Sequence, residues 1–461
     1  MKQAQRCVRM TLGICFTLAL FPALLLAYGG VYTLTKHGDP LSGVQRDVSL
    51  PRGDCNQCHL PHSGYPFFPF ADHTNALCYS CHNGAGALQI YQGQAVYDLS
   101  THATSASMVW PSPPPARQAG DWGECVNCHN PHGYKDGTGL VPHMVWRREE
   151  NLCKECHDGS PASDVYTEIG KVSSHPVTTY SGRHAADEGG DSSKFGTANR
   201  HAECVDCHNP HWAKTDSPSP PDASSRLKGV SRIVVGLGRT LTYTGPADTT
   251  AVKEYEICYK CHSSWTTLPA GTTDKAAEFD PANGSFHPVE AVGKNTDIDS
   301  RTLVAPLTAT SQVYCTDCHT SDNTGVRGPH GSIYAPILKK AYFTGDNSSP
   351  PSTDVCFDCH VSTQYLTDTR ASNSTYTHFR DGTSSGSKNF HYVHTVKDAQ
   401  TSCKTCHYNI HGTTSAHLIV FNTAVVSSSG GQIRYEHRSD GGACTLKCHG
   451  KDHNPKSYRW K

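Results

Sequence analysis

Twenty of the 22 cysteines stand in ten pairs, and every pair is followed directly by a histidine. Two residues separate the cysteines in nine pairs, and three separate them in the last. The pairs are Cys55/Cys58, Cys78/Cys81, Cys125/Cys128, Cys153/Cys156, Cys204/Cys207, Cys258/Cys261, Cys315/Cys318, Cys356/Cys359, Cys403/Cys406 and Cys444/Cys448. The histidines are His59, His82, His129, His157, His208, His262, His319, His360, His407 and His449. Zinc knuckles and disulfides also use close cysteines, but neither requires the adjoining histidine.

The C-x-x-C-H pattern indicates covalent attachment of c-type haem. Two thiols about one helical turn apart can bond to the two vinyl groups of one porphyrin, and the adjoining imidazole can bind the iron as the proximal ligand. We expect ten covalently bound haems c, nine of them at regular motifs. Between Cys444 and Cys448 the extra residue must bulge out for both thiols to reach one porphyrin. Single-thioether attachment, a metal site or a local disulfide are the alternatives there.

A second histidine is the expected distal ligand of most haem irons. Nineteen histidines lie outside the motifs, whereas only Met108 and Met144 lie beyond the first thirty residues, so we expect mostly bis-histidine ligation. The expected distal ligands are His37, His62, His102, His132, His175, His211, His287, His330, His391, His394 and His411. Those that follow a motif by three or four residues are too close to reach the opposite face of the same haem, so they should bind a neighbouring one. For His73, His143, His184, His201, His378, His417, His437 and His453, a solvated side chain is an equal alternative.

The motifs and their histidines repeat as five two-haem units, separated by proline- and serine-rich connectors. In each unit a distal histidine precedes a first motif with its trailing histidine, and a second motif follows. The predicted boundaries are 1–29 for a signal peptide and 30–98, 99–170, 171–280, 281–370 and 371–461 for the haem pairs. The pair at 171–280 contains a hairpin insertion.

The predicted fold class is a coil-rich multihaem cytochrome, with short helices at the motifs and a few small β-hairpins. Helical periodicity is poor, and a hydrophobic fraction of 36% is low for an aliphatic core. One hairpin is expected from Arg232–Val235 and Thr240–Tyr243, and a second from Leu418–Phe421 and Ile433–Tyr435. We expect the chain to wrap round a linear file of about ten haems, whose macrocycles supply the apolar interior.

The N-terminus predicts export. Lys2, Arg6 and Arg9 precede an apolar run over residues 11–27, which is a signal-peptide pattern. An uncleaved signal anchor is the alternative. A lipid anchor is not expected, because Cys15 lies near the start of the run. Removal of this segment leaves 37 basic and 41 acidic residues, a balance that argues against nucleic-acid binding.

The phrases Cys-x-x-Cys-His-x-Pro-His, Leu-Cys-x-x-Cys-His-Asp-Gly at 152–159 and Ser-His-Pro-Val at 174–177 resemble the doubled-CxxCH, cytochrome c3-type multihaem cytochromes of metal-respiring bacteria. Phe390-His-x-x-His394 followed by Cys403 to His411 is similar to motifs of outer-surface decahaem cytochromes, whose paired histidines are distal ligands. Some relatives form filaments in which an N-terminal histidine completes a haem of the next subunit, a role for which His37 is the candidate.

The resemblance implies an electron-transfer conduit rather than an enzyme. The expected location is extracellular or on the outer cell surface rather than periplasmic. The expected partners are other cytochromes or redox proteins, metal oxides or an electrode-like acceptor, with a homopolymer as a further assembly. The alternative is a multihaem reductase of a small nitrogen or sulfur oxyanion, which would need an iron with an open position.

Overall fold

The computed structural model describes residues 31–60, 70, 74–83, 93–107, 123–137, 139–178, 201–295, 297–372, 375–382 and 386–459. The predicted signal peptide and His62 lie outside the described residues. Chain contacts define two compact units, one up to Ala162 with Pro210–Lys214, and one of Ser163–Asn209 with Thr215–Lys461. Among the described residues, no helix combines the length and apolarity that crossing a bilayer requires.

The first unit is mostly coil with very short elements. Its α-helices are α1 (Asn75–Tyr79), α2 (Gln94–Tyr97), α3 (Thr101–Thr104) and α4 (Glu149–Lys154). Its strands β1 (Lys135–Asp136) and β2 (Gly139–Leu140) form a small antiparallel pair. Single 3₁₀ turns lie at Tyr32–Leu34, Cys55–Gln57, Cys125–Asn127 and Pro142–Met144.

The second unit contains the longer elements. Its helices are α5 (Val165–Ile169), α6 (Cys204–Cys207), α7 (Glu254–His262), α8 (Lys275–Glu278), α9 (Thr363–Leu366) and α10 (Phe390–Tyr392), the last continued by a π-turn over Val393–Lys397. Its strands are β3 (Ser173–Ser174), β4 (Arg232–Val235), β5 (Leu241–Thr244), β6 (Ser285–Phe286), β7 (Gly331–Ser332), β8 (Gly412–Thr413), β9 (Arg434–Arg438), β10 (Gly441–Cys448) and β11 (Lys451–Arg459). Its 3₁₀ turns are Ser225–Leu227, Leu237–Arg239, Ser300–Thr302, Cys315–Asp317, Val355–Asp358, Cys403–Thr405 and Ala416–Leu418. This coil-rich architecture confirms the predicted fold class.

The nine regular motifs form helical turns, as expected. In eight of them the histidine N–H donates to the carbonyl of the first cysteine at 2.8–3.0 Å, and the ninth is part of α7. An aspartate before some of these turns accepts a hydrogen bond from a backbone N–H group at the start of the turn. Asp54 accepts from the Asn56 N–H, and Asp354 accepts from the Cys356 N–H. Each turn therefore places two thiols and one imidazole together through local hydrogen bonds.

Two short ladders join chain segments that are far apart in sequence. β3, just before His175, pairs with β7, and β6, just before His287, pairs with β8. Gly331 and Gly412 begin β7 and β8, and a Cβ there would lie 1.8 Å from a backbone carbonyl of the facing segment. Glycine is required at both positions for this close approach. The pairing brings the histidine that follows β3 or β6 close to the backbone just before the partner strand.

The hairpin of β4 and β5 confirms the first prediction, with Val234 opposite Thr242. The second predicted hairpin is wrong. β9 pairs with β10 instead, and Val420 bridges to His407. The segment over 418–421 contacts the neighbouring haem motif, which leaves the strand over 434–438 free to join a three-stranded sheet of order β11-β10-β9.

The last motif also departs from the prediction of a helical turn at every motif. Cys444 and Cys448 lie in β10, with an irregularity in the pairing with β11 between Cys444 and Leu446. The extra residue between the thiols breaks the spacing that closes a helical turn, so the segment extends and pairs on both sides.

Buried apolar clusters are small. In the described part of the chain they consist of Ala223, Val230, Val252 and Ile257, and of Ile233, Tyr259 and Ala276, all in the second unit. Beside them the buried Arg232 side chain donates to Glu256 at 3.0 Å. These clusters contain few buried apolar side chains for units of this size. An interior completed by a prosthetic group agrees with this.

Candidate haem-binding sites

Many histidine rings face one another in pairs, and the distance between the two ring centres is nearly the same in each pair. A metal–imidazole bond is about 2 Å long and the ring centre lies about 1 Å behind the nitrogen, so two imidazoles on opposite sides of one iron have centres about 6 Å apart. Seven pairs of a motif histidine with a non-motif histidine have this separation, from 5.9 to 6.4 Å. They are His59/His132, His82/His37, His129/His211, His157/His102, His208/His330, His262/His175 and His319/His411. No histidine occurs twice among them, so chance aromatic packing is a poor explanation.

The pairs follow two rules along the chain. A histidine that trails the first motif of one repeat faces the first-motif histidine of the preceding repeat, as His211 faces His129. A histidine upstream of a first motif faces the second-motif histidine of its own repeat, as His102 faces His157. Successive repeats are thereby interlocked.

Backbone carbonyls fix the tautomer of the upstream histidines. The Nδ1 atoms of His37, His102 and His175 lie 2.7–3.1 Å from the carbonyls of Pro131, Pro210 and Pro329, and the Nδ1 of His287 bonds that of Ile410. Each carbonyl belongs to the residue just before a trailing histidine. Since a carbonyl only accepts, Nδ1 carries the proton and Nε2 keeps the lone pair for a metal.

The motif histidines are oriented in the same way. In four of them, Nδ1 lies 2.9–3.2 Å from the backbone carbonyl oxygen of a downstream residue. The pairs of ring and carbonyl are His129 with His143, His208 with Arg226, His319 with Pro336 and His407 with Leu418. His143 and His417 have positive φ, which turns this downstream loop back towards the motif. Nε2 of the ring that follows the thiols therefore again carries the lone pair that a metal needs.

Burial keeps several of these imidazoles neutral, which is the form that binds a metal. It lowers the pKa of His211, His360 and His407 to about 4 and that of His391 to about 3, with neighbouring histidines adding to the effect. Among the neighbouring histidines, His287 contributes most to the lowered pKa of His360, and His407 contributes most to that of His391.

One carboxylate contacts a candidate ligand directly. Glu278 lies 3.0 Å from Nδ1 of His411. Burial alone would raise the pKa of Glu278, but hydrogen bonds with His411 and Lys275 hold it at about 2. A carboxylate in this position makes an imidazole ligand more basic.

Cysteine sulfurs of consecutive motifs lie near one another. Burial raises the pKa of Cys58, Cys128 and Cys318. A cysteine of the next motif raises each of these pKa values further, and these cysteines are Cys81, Cys156 and Cys359, respectively. Hydrogen bonds between thiols join Cys125 to Cys78, Cys258 to Cys315 and Cys356 to Cys403. Each bond raises the pKa of the cysteine named first in its pair. Cys207 neighbours Cys258 and Cys261, and Cys406 neighbours Cys444 and Cys448.

Two family models match the chain. The doubled CXXCH motif matches residues 50–87 and 118–162, and the model for outer membrane cytochromes, MtrC/MtrF-like, domains II/IV, matches 244–418. The chain is a multihaem c-type cytochrome, similar to those of metal-respiring bacteria. It carries covalently bound haem c and transfers electrons. No curated protein and no solved structure matches it significantly.

The cytochrome thus brings together the thiols, proximal imidazoles and facing imidazoles that haem c needs at most of its motifs. His391 and His394 lie at the C-terminal motifs, where Nδ1 of His391 bonds Thr377 Oγ1 at 3.0 Å and Nδ1 of His394 bonds the Phe390 carbonyl at 2.7 Å. His449 is exposed in the turn between β10 and β11, and it faces no other ring in the part of the chain that the structure describes.

Two further histidine pairs in the cytochrome contain residues that the sequence left undecided, namely His453, His417 and His437. His394 faces His453 at 6.2 Å, and His417 faces His437 at 5.2 Å. His453 follows the last motif by four residues, as His411 follows His407, and this spacing was the signal for it. No such signal marks His437, which strand pairing alone brings to its position.

Proposed function

We propose that this cytochrome is a conduit in which electrons pass along a file of bis-histidine haems, without a substrate site. The observation that carries the proposal is the pairing of motif and non-motif histidines at about 6 Å. An iron held on both faces is closed to substrate, so such a site exchanges electrons rather than rearranging bonds.

Haem iron supplies one-electron exchange between its ferric and ferrous states. The chain supplies the ligands, their tautomers and their burial. Two neutral imidazoles give a low-spin site of low reduction potential, whereas methionine would raise the potential. The carbonyls that accept from Nδ1 of eight of these imidazoles hold those rings in one orientation, which favours electron transfer with little rearrangement of the protein.

The neighbouring sulfurs support an order of the sites along the chain. In the first unit, thiol contacts connect the motifs at Cys55, Cys78, Cys125 and Cys153 in chain order. In the second unit they connect the remaining motifs in the same way, from Cys204 to Cys444. Sulfurs become thioethers at the porphyrin edge, so adjacent sulfurs support adjacent porphyrins, and ten loaded motifs would give files of four and six haems.

We further propose export to the cell surface or the extracellular space, with other cytochromes or metal oxides as partners. The signal-peptide pattern in residues 1–29 and the match to an outer membrane cytochrome model support this location. The acceptor needs no pocket, because an electron can leave through an exposed haem edge. Electron microscopy of secreted material tests the end-to-end assembly that the family resemblance suggests.

Haem count and spin state test the function. Intact mass should show ten haems, and electron paramagnetic resonance of the oxidised protein should show low-spin signals alone. Stopped-flow mixing of reduced protein with a ferric oxide suspension should oxidise all haems, with no matching rate for nitrite, hydroxylamine or sulfite. A native high-spin haem that binds carbon monoxide and turns over one of these oxyanions or hydroxylamine would replace the conduit by the reductase.

A further inference from the structure

The last motif holds its histidine in a different way from all the others. In a helical turn, the two thiols of a regular motif lie about 5 Å apart along the axis. In β10, Cys444 and Cys448 are four residues apart in an extended strand, a separation of about 13 Å for an unbulged strand. The hydrogen bond from histidine N–H to the first cysteine carbonyl has no counterpart here, because the backbone pairs with β9 and β11.

His449 is consequently directed by a hairpin turn rather than by a haem-binding turn. Its φ of 47° lies in the left-handed region, it is exposed, and among the described residues it makes no hydrogen bond, ion pair or ring contact. Regular motif histidines face a second ring or lie buried with an oriented Nδ1. His449 has none of these properties.

His453 has the properties that His449 lacks. Its ring centre lies 6.2 Å from that of His394, within the range of the other facing pairs. Its Nδ1 is buried without a hydrogen-bond partner, an arrangement that costs free energy unless a ligand satisfies the nitrogen. β11 holds it directly opposite Leu446, in the middle of the last motif.

His394 is prepared for the same role. Its Nδ1 donates to the Phe390 carbonyl, so Nε2 keeps a lone pair. The Phe379 ring stacks on His394 at 5.5 Å and meets Tyr458 of β11 edge-on at 4.7 Å. These aromatic side chains give His394 an apolar surrounding of the kind that a porphyrin packs against.

We propose that His394 and His453 are the two axial ligands of the haem at the last motif and that His449 does not bind its iron. This assignment rests on the proposed function, because it requires a haem at Cys444 or Cys448. It makes the last site the only one of the proposed file in which the histidine following the cysteines is replaced.

Methionine substitutions in the full-length holoprotein test the assignment. Near-infrared magnetic circular dichroism distinguishes methionine–histidine from bis-histidine ferric haem. We expect His453→Met to convert one haem in ten to the methionine–histidine form, and His449→Met to leave all ten bis-histidine. His437→Met, in the neighbouring strand β9, is the matched control and should change nothing. The assignment fails if His453→Met leaves every haem bis-histidine or if His449→Met produces the methionine signal.

A measurement on the wild-type protein covers the case in which a variant does not take up haem. Diethyl pyrocarbonate modifies free imidazoles, and peptide mass spectrometry locates them. We expect rapid modification of His449 and protection of His453, and the reverse pattern overturns the proposal. Nine haems on the wild-type chain would also overturn it while leaving the conduit intact, whereas an open native haem would refute the conduit itself.

Discussion

Removal of one facing histidine should open one iron and no other. His211 faces His129 at 6.0 Å with the rings within 12° of parallel, and it is buried enough for its pKa to fall to about 4. In His211→Gly the imidazole volume is lost while the backbone carbonyl of Pro210, which orients His102, stays in place. His102 is already opposite His157 at 6.4 Å, so its transfer to the vacant position would only move the opening to a second iron.

The expected magnitude is therefore one carbon monoxide bound per reduced chain, compared with none in the wild type, and one high-spin haem in ten in the oxidised protein. Added imidazole should restore the low-spin spectrum, because the vacated position has the shape of that ring. His437→Gly is the control, since the ring that His437 faces is His417, which does not belong to a motif, and this variant should bind no carbon monoxide. An His211→Gly protein that binds no carbon monoxide, or binds more than one, would refute the pairing of His129 with His211.

Three further results are expected. Glu278→Gln should raise the potential of the haem that His411 ligates by on the order of 50 mV, because a nearby unit charge in a partly buried site is worth about 1 kcal/mol. Potentiometry should find this difference constant above about pH 4 and lost as the pH falls to the Glu278 pKa of about 2, because the wild-type carboxylate then also becomes neutral. Arg232→Met should destabilise the second unit by about 3–5 kcal/mol in denaturant, because Glu256 is left buried without its partner, and Arg232→Met/Glu256→Leu should recover most of the loss. Chain produced without haem should be protease-sensitive outside residues 223–276, which contain the two small apolar clusters, and a resistant core elsewhere would contradict a haem-supplied interior.

The sequence by itself determined the haem chemistry, because attachment depends on neighbours in the chain. Two thiols and an imidazole within five residues form a turn through local hydrogen bonds, so their function can be read without tertiary structure. The sequence also predicted that the trailing histidines face a neighbouring motif, since a span of three residues cannot reach round a porphyrin.

Only the tertiary structure decided which histidine faces which. His37 and His82 are 45 residues apart in the sequence, and no local pattern states that a carbonyl at Pro131 orients the first of them. Ladders such as β3 with β7 and glycines such as Gly331 set these distances. The same holds at the C-terminus, where β10 pairs with β9 and β11 in place of the turn that a regular motif forms. This pairing places Cys444 in an extended strand and holds His453 on β11, where it faces His394.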